Sequence, residues 1–235
     1  MKSLFYLFFI IKKRGLGFIW IYFKESIWFD LINGTSTSSR VTKDRQNISI
    51  NFNQYQDGLL YVASFTSVVR ITVAIAHGIL GPNRLRQSQF VDLGCGKGKA
   101  LLVYLRYFGS STIKPAMGIE YDSILADQAR ANSKKISSAS DGIEIITGSA
   151  TNIRTYLHSK YAVVYLYNSF QGKTLHATLL ALQGLPHVLI YVDPVERRVL
   201  LDFGYVIEAE RIGRYNANTW IVARSSDLEK VLHHA

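Results

Sequence analysis

One cysteine, Cys95, stands in a chain of 235 residues, so no internal disulfide can staple the fold and the chain suits a reducing cytoplasm. No apolar run approaches the roughly twenty residues needed to cross a bilayer. A secretory leader is not expected either, because the first apolar run is followed rather than preceded by its charges and no small-residue cleavage site comes after it. The six histidines show no metal-ligand spacing, so no metal is expected, and no internal repeat is visible. Acids are the scarcer sign of charge: 17 Asp and Glu face 27 Lys and Arg, a net charge of +10. Half of that excess lies in residues 1–45, where eight cations meet three acids. Such a segment could follow a phosphate backbone or rest on anionic lipid.

What is present is concentrated at Phe90-Val91-Asp92-Leu93-Gly94-Cys95-Gly96-Lys97-Gly98, an apolar strand that ends in an acid and runs into a glycine turn. The helical run Lys99-Ala100-Leu101-Leu102-Val103-Tyr104-Leu105 follows at once. Glycines at every second position permit φ > 0 and keep side chains away from a ligand over the turn, while the following helix offers free N–H groups. This is a nucleotide-binding device. The dinucleotide fingerprint needs a small residue where Lys99 stands, so NAD fits badly. A P-loop fits no better: three residues rather than four separate Gly94 from Gly98, and Ala100 replaces the magnesium-binding hydroxyl.

The acid–x–G-x-G-x-G pattern resembles motif I of the class I S-adenosylmethionine-dependent methyltransferases. Four later segments stand in the order that this family requires. Met117-Gly118-Ile119-Glu120 reads as a second strand ending in an acid, and Ile143 to Ala150 as a third carrying Ser149 where relatives often place Asp. Tyr161 to Phe170 resembles motif IV, and His187 to Pro194 supplies a fifth strand. The pieces LYNSF, YVDPVERRVLLDFGY and RYNANTWIV further resemble a small group of bacterial members with L-Y-N-P-F, Y-V-N-P and a late G-Y-N-A. That group carries Y-x-P-T before motif I, and Tyr61-Val62-Ala63-Ser64 stands in its place.

The resemblance implies S-adenosyl-L-methionine as cofactor. Asp92 with Gly94, Cys95, Gly96 and Gly98 would hold its methionine portion, Glu120 its ribose and Ser149 its adenine edge, with Tyr61 and Ser64 closing over it. Cys95 is counted with the turn as a small residue tolerated inside it. Asn168 and Asp193 would form the acceptor side. An amide oxygen at Asn168 can orient an amine, which favours nitrogen, on a protein lysine or small amine, over oxygen or carbon as the methyl acceptor. A plain turn-forming Asn remains the alternative. The other readings of the chain are a membrane-attached nucleotide-binding protein without turnover and an RNA methyltransferase, nucleic acid being the less favoured partner.

The expected fold is α/β, a Rossmann-like seven-stranded sheet, mostly parallel, with helices on both faces. Tyr205 to Ala209 and Thr219 to Ala223 have no helix between them and read as a terminal antiparallel hairpin. Three regions are expected: an apolar, basic N-terminal arm and linker over 1–50, the catalytic domain over 51–226, and a tail over 227–235. A helix is read from Thr66 to about Ala76, capped by Ser64 or Thr66 and stopped at Gly78. Residues 1–30, rich in Phe, Trp and Lys, are expected either to touch an anionic membrane at its inner face or to pack on the domain.

Overall fold

The computed structural model describes residues 16–39, 61–109, 114–136 and 142–233. The apolar run 4–11, the cations at 12–14 and linker residues 40–56 lie outside the described residues. The strands are β1 (Ser88–Leu93), β2 (Ala116–Glu120), β3 (Ile143–Thr147), β4 (Tyr161–Tyr167), β5 (His187–Val192), β6 (Val206–Arg211) and β7 (Trp220–Arg224). They form one sheet in the order β3-β2-β1-β4-β5-β7-β6. Pairing is parallel from β3 to β5 and antiparallel at β5–β7 and β6–β7, so the expected hairpin is present at the edge. The strands β1, β2 and β5 are buried at every position, and β4 and β5 read as nearly continuous apolar runs, as parallel strands covered on both faces do.

From β1 the chain moves outward through β2 and β3, then returns to β4 on the other side of β1. Ligands in open α/β sheets bind where that reversal opens a crevice beyond the carboxyl ends of the strands. One face is covered by α3 (Thr66–Leu85) and α4 (Lys99–Phe108), with Phe90 stacked on Tyr104 at 4.1 Å between ring centroids. The other is covered by α6 (Ile153–Tyr156), α7 (Gly172–Leu182) and α8 (Arg197–Asp202). Between β2 and β3 lies α5 (Ser123–Lys135), whose first turn is capped by the Asp122 carboxylate.

Two boundaries differ from expectation. Helix α3 passes through Gly78 and breaks at Gly81, whose φ of 68° and ψ of 165° precede Pro82. Its cap is neither Ser64 nor Thr66. The Ser67 amide instead donates to Glu25 Oε2 at 2.8 Å, a cap delivered by the N-terminal arm. At the other end, residues 226–233 form helix α9 with Leu228 fully buried, so the folded unit continues past residue 226.

The arm is helical from Leu16 to Asn33: α1 (Leu16–Tyr22), a π-type turn over Phe23–Ile27, and α2 (Trp28–Asn33). Phe18 and Phe29 are buried against the domain, and Phe18 meets the Tyr215 ring edge-on at 4.8 Å. Beneath Phe29 lies the ammonium of Lys99, 3.7 Å from the ring centroid. It has no hydrogen-bond partner among the described residues. Burial pulls this ammonium down to about 7, with the charges of Asp30 and Glu25 opposing the shift.

A depressed lysine penalises the folded state most where the unfolded chain is charged. The penalty is absent above the ordinary value near 10.5, grows as pH falls, and is complete below about 7. Lys99→Met should therefore raise stability at pH 6 by about 1–3 kcal/mol, with the gain vanishing towards pH 10.5. Thermal melts of both proteins across that range check it, and a pH-independent gap refutes it.

Candidate functional site

The turn between β1 and α4 has Gly94, Gly96 and Gly98 at φ of 71°, 53° and 82°. A Cβ on Gly96 would overlap the Tyr61 ring, and one on Gly94 would overlap the Ser169 side chain. These two positions are glycine because of close approach as well as handedness. The turn's amides are largely spent inside the protein. Gly94 N and Cys95 N donate to Ile119 O at 2.8 and 3.2 Å, and Gly98 N donates to Cys95 O at 2.9 Å. Gly96 N donates to Glu120 Oε2 at 2.7 Å. Four amides of the turn are thus taken within the protein, so the turn itself offers few donors to a ligand. Cys95 is buried with its thiol turned towards Gly118 on β2, and burial pushes that thiol well up, so it is a protonated packing group.

Glu120 ends β2 as expected. Its other oxygen, Oε1, accepts from Asp122 N at 2.9 Å, so the carboxylate bridges the glycine turn and the start of α5. Asp92, in β1, is 4 % exposed and receives no hydrogen bond among the described residues. Neither acid is in an ion pair among those residues. Burial, followed by the neighbouring Glu120 charge, holds the Asp92 carboxyl well above its usual range. Burial likewise lifts Glu120 to about 7. Two buried carboxyls with no compensating cation are costly to ionise together.

The turn is roofed by the N-terminal arm. The Asp30 carboxylate accepts from the Thr35 and Thr37 hydroxyls and from the amides of Thr37 and Ser38, all within 3.0 Å. These bonds fold residues 35–39 into a strap. Tyr61, whose ring lies on Gly96, donates its hydroxyl to Thr37 O at 2.8 Å. Lys97, only 2 % exposed, donates to Ser39 O at 2.6 Å. Asn132 closes the other side, accepting from Ser36 N and donating to Lys97 O, both at 3.0 Å. Ser64 is buried beside the Tyr165 phenol, on the strand next to Asp92.

At the carboxyl ends of β4 and β5, Asn168 and Asp193 are the only non-glycine residues with positive φ among those described, at 35° and 50°. Such strain persists only where surroundings enforce it, and it clusters at functional sites. Asn168 Nδ2 donates to Asp193 Oδ2 at 3.0 Å, and Gln171 Nε2 donates to Asn168 Oδ1 at 3.0 Å. Ser169 Oγ reaches Gly94 O at 3.2 Å, tying this end to the glycine turn. Ser149 follows β3, but its hydroxyl is engaged in capping the next turn, receiving Thr151 N at 3.3 Å and bonding Thr151 Oγ1 at 2.7 Å.

The sequence-derived residues from β1, β2, β4 and β5 therefore gather at one end of the sheet, with Tyr61 above them. Asp30, Lys97, Asn132 and Gln171 were not among the candidates. The only available signal was the polar run Thr35 to Ser39 after Asp30, which reads as an irregular linker or lid.

Gly96→Ala should destabilise the protein by about 2–4 kcal/mol, the sum of left-handed strain and overlap with Tyr61. Adding Tyr61→Ala should recover the steric share and leave about 1–2 kcal/mol of backbone strain. Urea unfolding of the double-mutant cycle reads the coupling directly; simple additivity would separate Tyr61 from the turn.

No protein-family model matches the chain, and no curated protein matches it. Solved structures superpose on part of the chain. The M1A22 tRNA methyltransferase TrmK of B. subtilis superposes with a TM-score of 0.48 at 12% identity, covering 69% of this chain and 67% of that one. TrmK of M. capricolum, in complex with S-adenosyl-homocysteine, gives 0.45 at 13% identity over 76% and 69% of the two chains. TrmN of Thermus thermophilus gives 0.48 at 12% identity over 68% and 48%. Likenesses this distant add nothing to the sheet order itself.

Proposed function

We propose that this chain binds S-adenosylmethionine and transfers its methyl group to a nitrogen acceptor. The observation that carries the reading is the pair Asp92 and Glu120, buried at the switch point without a cation. A ligand bearing a sulfonium and an ammonium supplies the missing positive charge. A pyrophosphate ligand would add negative charge beside the same carboxyls. In this reading Asp92 and the Gly94–Gly98 turn hold the methionine portion, Glu120 takes the ribose hydroxyls with its remaining lone pairs, and Ser64 and Tyr61 lie overhead. Ser149 offers only a shared hydroxyl near the adenine, because Thr151 already uses it.

Methyl transfer is an in-line displacement whose reactivity resides in the sulfonium. The protein's part is to align the acceptor and keep its lone pair free. Asn168 and Asp193 suit that part: their strained backbones fix them beside Ser169 and the glycine turn. Among the described residues only Oδ2 of Asp193 has a donor, which leaves Oδ1 to accept from an amine. Asn168 Oδ1 keeps a second lone pair beyond the Gln171 bond. A protein side chain or small amine fits two such acceptors. Total tRNA is the second substrate to test, because 27 cations against 17 acids favour a polyanion.

The expected pH dependence has a definite sign. A cationic ligand favours the ionised carboxyls, and Glu120 in the free protein titrates at about 7. Affinity for S-adenosylmethionine should fall as pH drops below 7, by up to about tenfold per unit for each proton displaced. S-adenosylhomocysteine, which lacks the sulfonium charge, should show a shallower slope. Calorimetric titrations at several pH values measure both, and flat profiles would remove the charge argument. Glu120→Ala should weaken binding by about 1–3 kcal/mol. Asn168→Ala should leave binding nearly intact while lowering transfer of labelled methyl to the acceptor; loss of binding instead would place Asn168 in the cofactor site. Saturable binding without transfer to protein, amine or tRNA would favour a binding protein without turnover.

A further inference from the structure

The helical arm has two apolar faces and only one is used by the fold. Phe18, Ser26 and Phe29 point inward and are buried. On the opposite face Trp20, Trp28, Leu31 and Ile32 are 68%, 52%, 64% and 50% exposed. Their spacing is that of one helix stripe. Phe23 joins the two indoles, with ring centroids 6.0 Å from Trp20 and 6.3 Å from Trp28. Scattered exposed apolar residues need no explanation, but a continuous stripe of this kind does.

The charges around the stripe are of one sign. Lys24 is exposed within it. Arg106 is exposed at its end, where its guanidinium holds Asn33 Oδ1 at 2.6 Å, and Arg70 lies exposed on α3, one turn beyond the Ser67 amide that Glu25 caps. Residues 16–39 contain two acids, Glu25 and Asp30, and both are occupied inward, Glu25 at the Ser67 amide and Asp30 in the strap. No helix among the described residues is long and apolar enough to cross a membrane. Indoles and aliphatic side chains edged by cations, lying along a surface helix, match the headgroup boundary of an anionic bilayer. A two-fold contact with a second copy would set these unneutralised cations against each other.

We propose that this outward face of the arm docks on an anionic lipid surface. The docked helix is the one whose inner side caps α3 through Glu25 and shapes the strap over the glycine turn through Asp30, so the site faces its ligand beside the membrane. The proposal stands independently of the methyltransferase reading.

The test is co-sedimentation of the full chain with phosphatidylcholine vesicles, with and without phosphatidylglycerol. Wild type should sediment with the anionic vesicles, and the Trp20→Ala/Trp28→Ala/Leu31→Ser triple variant should partition about tenfold or more weakly at an unchanged thermal transition. If the triple variant loses that transition, Leu31→Glu, which puts one charge into the stripe, serves the same comparison. Lys24→Glu/Arg106→Glu should abolish the preference for phosphatidylglycerol. Three results overturn the proposal: no sedimentation of wild type, equal partitioning of wild type and stripe variants, or a stripe-dependent dimer in solution without vesicle binding.

Discussion

The bond from the Gly96 amide to the Glu120 carboxylate, 2.7 Å long, is the contact on which the rest of the site depends. It joins the turn after β1 to the end of β2, and through Oε1 it reaches the start of α5. The bond favours the ionised carboxylate, but burial outweighs it and lifts Glu120 to about 7. It also spends an amide that a phosphate-binding turn would keep free. The glycine pattern thus serves close packing, with Tyr61 over Gly96 and Ser169 over Gly94, more than anion binding. The result sets two buried carboxyls and an aromatic ring around the same turn.

The arm is the second organising element. One helix end supplies Glu25 to α3, Phe29 to the Lys99 ammonium and Asp30 to the strap. Two of these, the Glu25 cap and the Phe29 ring, act on residues far away in sequence. Removing the arm would expose the Lys99 ammonium, uncap α3 and unroof Tyr61 together. The lysines of the glycine motif make the same point: Lys97 and Lys99 are 2 % and 1 % exposed, one held by Ser39 and the other under a ring. Neither faces the crevice as a phosphate ligand would need.

At the carboxyl ends of β4 and β5, strain and hydrogen bonding act together. Positive φ at Asn168 and Asp193 turns the chain sharply off β4 and β5, and the bond between their side chains crosses the two strand ends. Gln171 then fixes the Asn168 amide from the far side. An amide held from both sides presents its carbonyl in one direction, a condition for aligning an acceptor.

The sequence by itself determined the sheet's composition and the polar groups at its carboxyl edge. Continuous apolar runs ending in Asp92, Glu120, Asn168 and Asp193 mark parallel strands whose carboxyl ends carry the polar groups, and the missing helix before Trp220 marks the hairpin. These are local signals, carried by periodicity and by residue type within a few positions. The helix end at Gly81 rather than Gly78 was not legible, because a glycine is tolerated inside a helix whose apolar face is buried, while Gly81 adopts a backbone no helix can continue. Only the tertiary structure decided that Glu25 caps α3, that Ser149 serves its own turn, and that Lys97, Asn132 and Asp30 assemble the roof. Those contacts join residues as much as 96 positions apart, and their energy comes from burial that exists only once the sheet has formed.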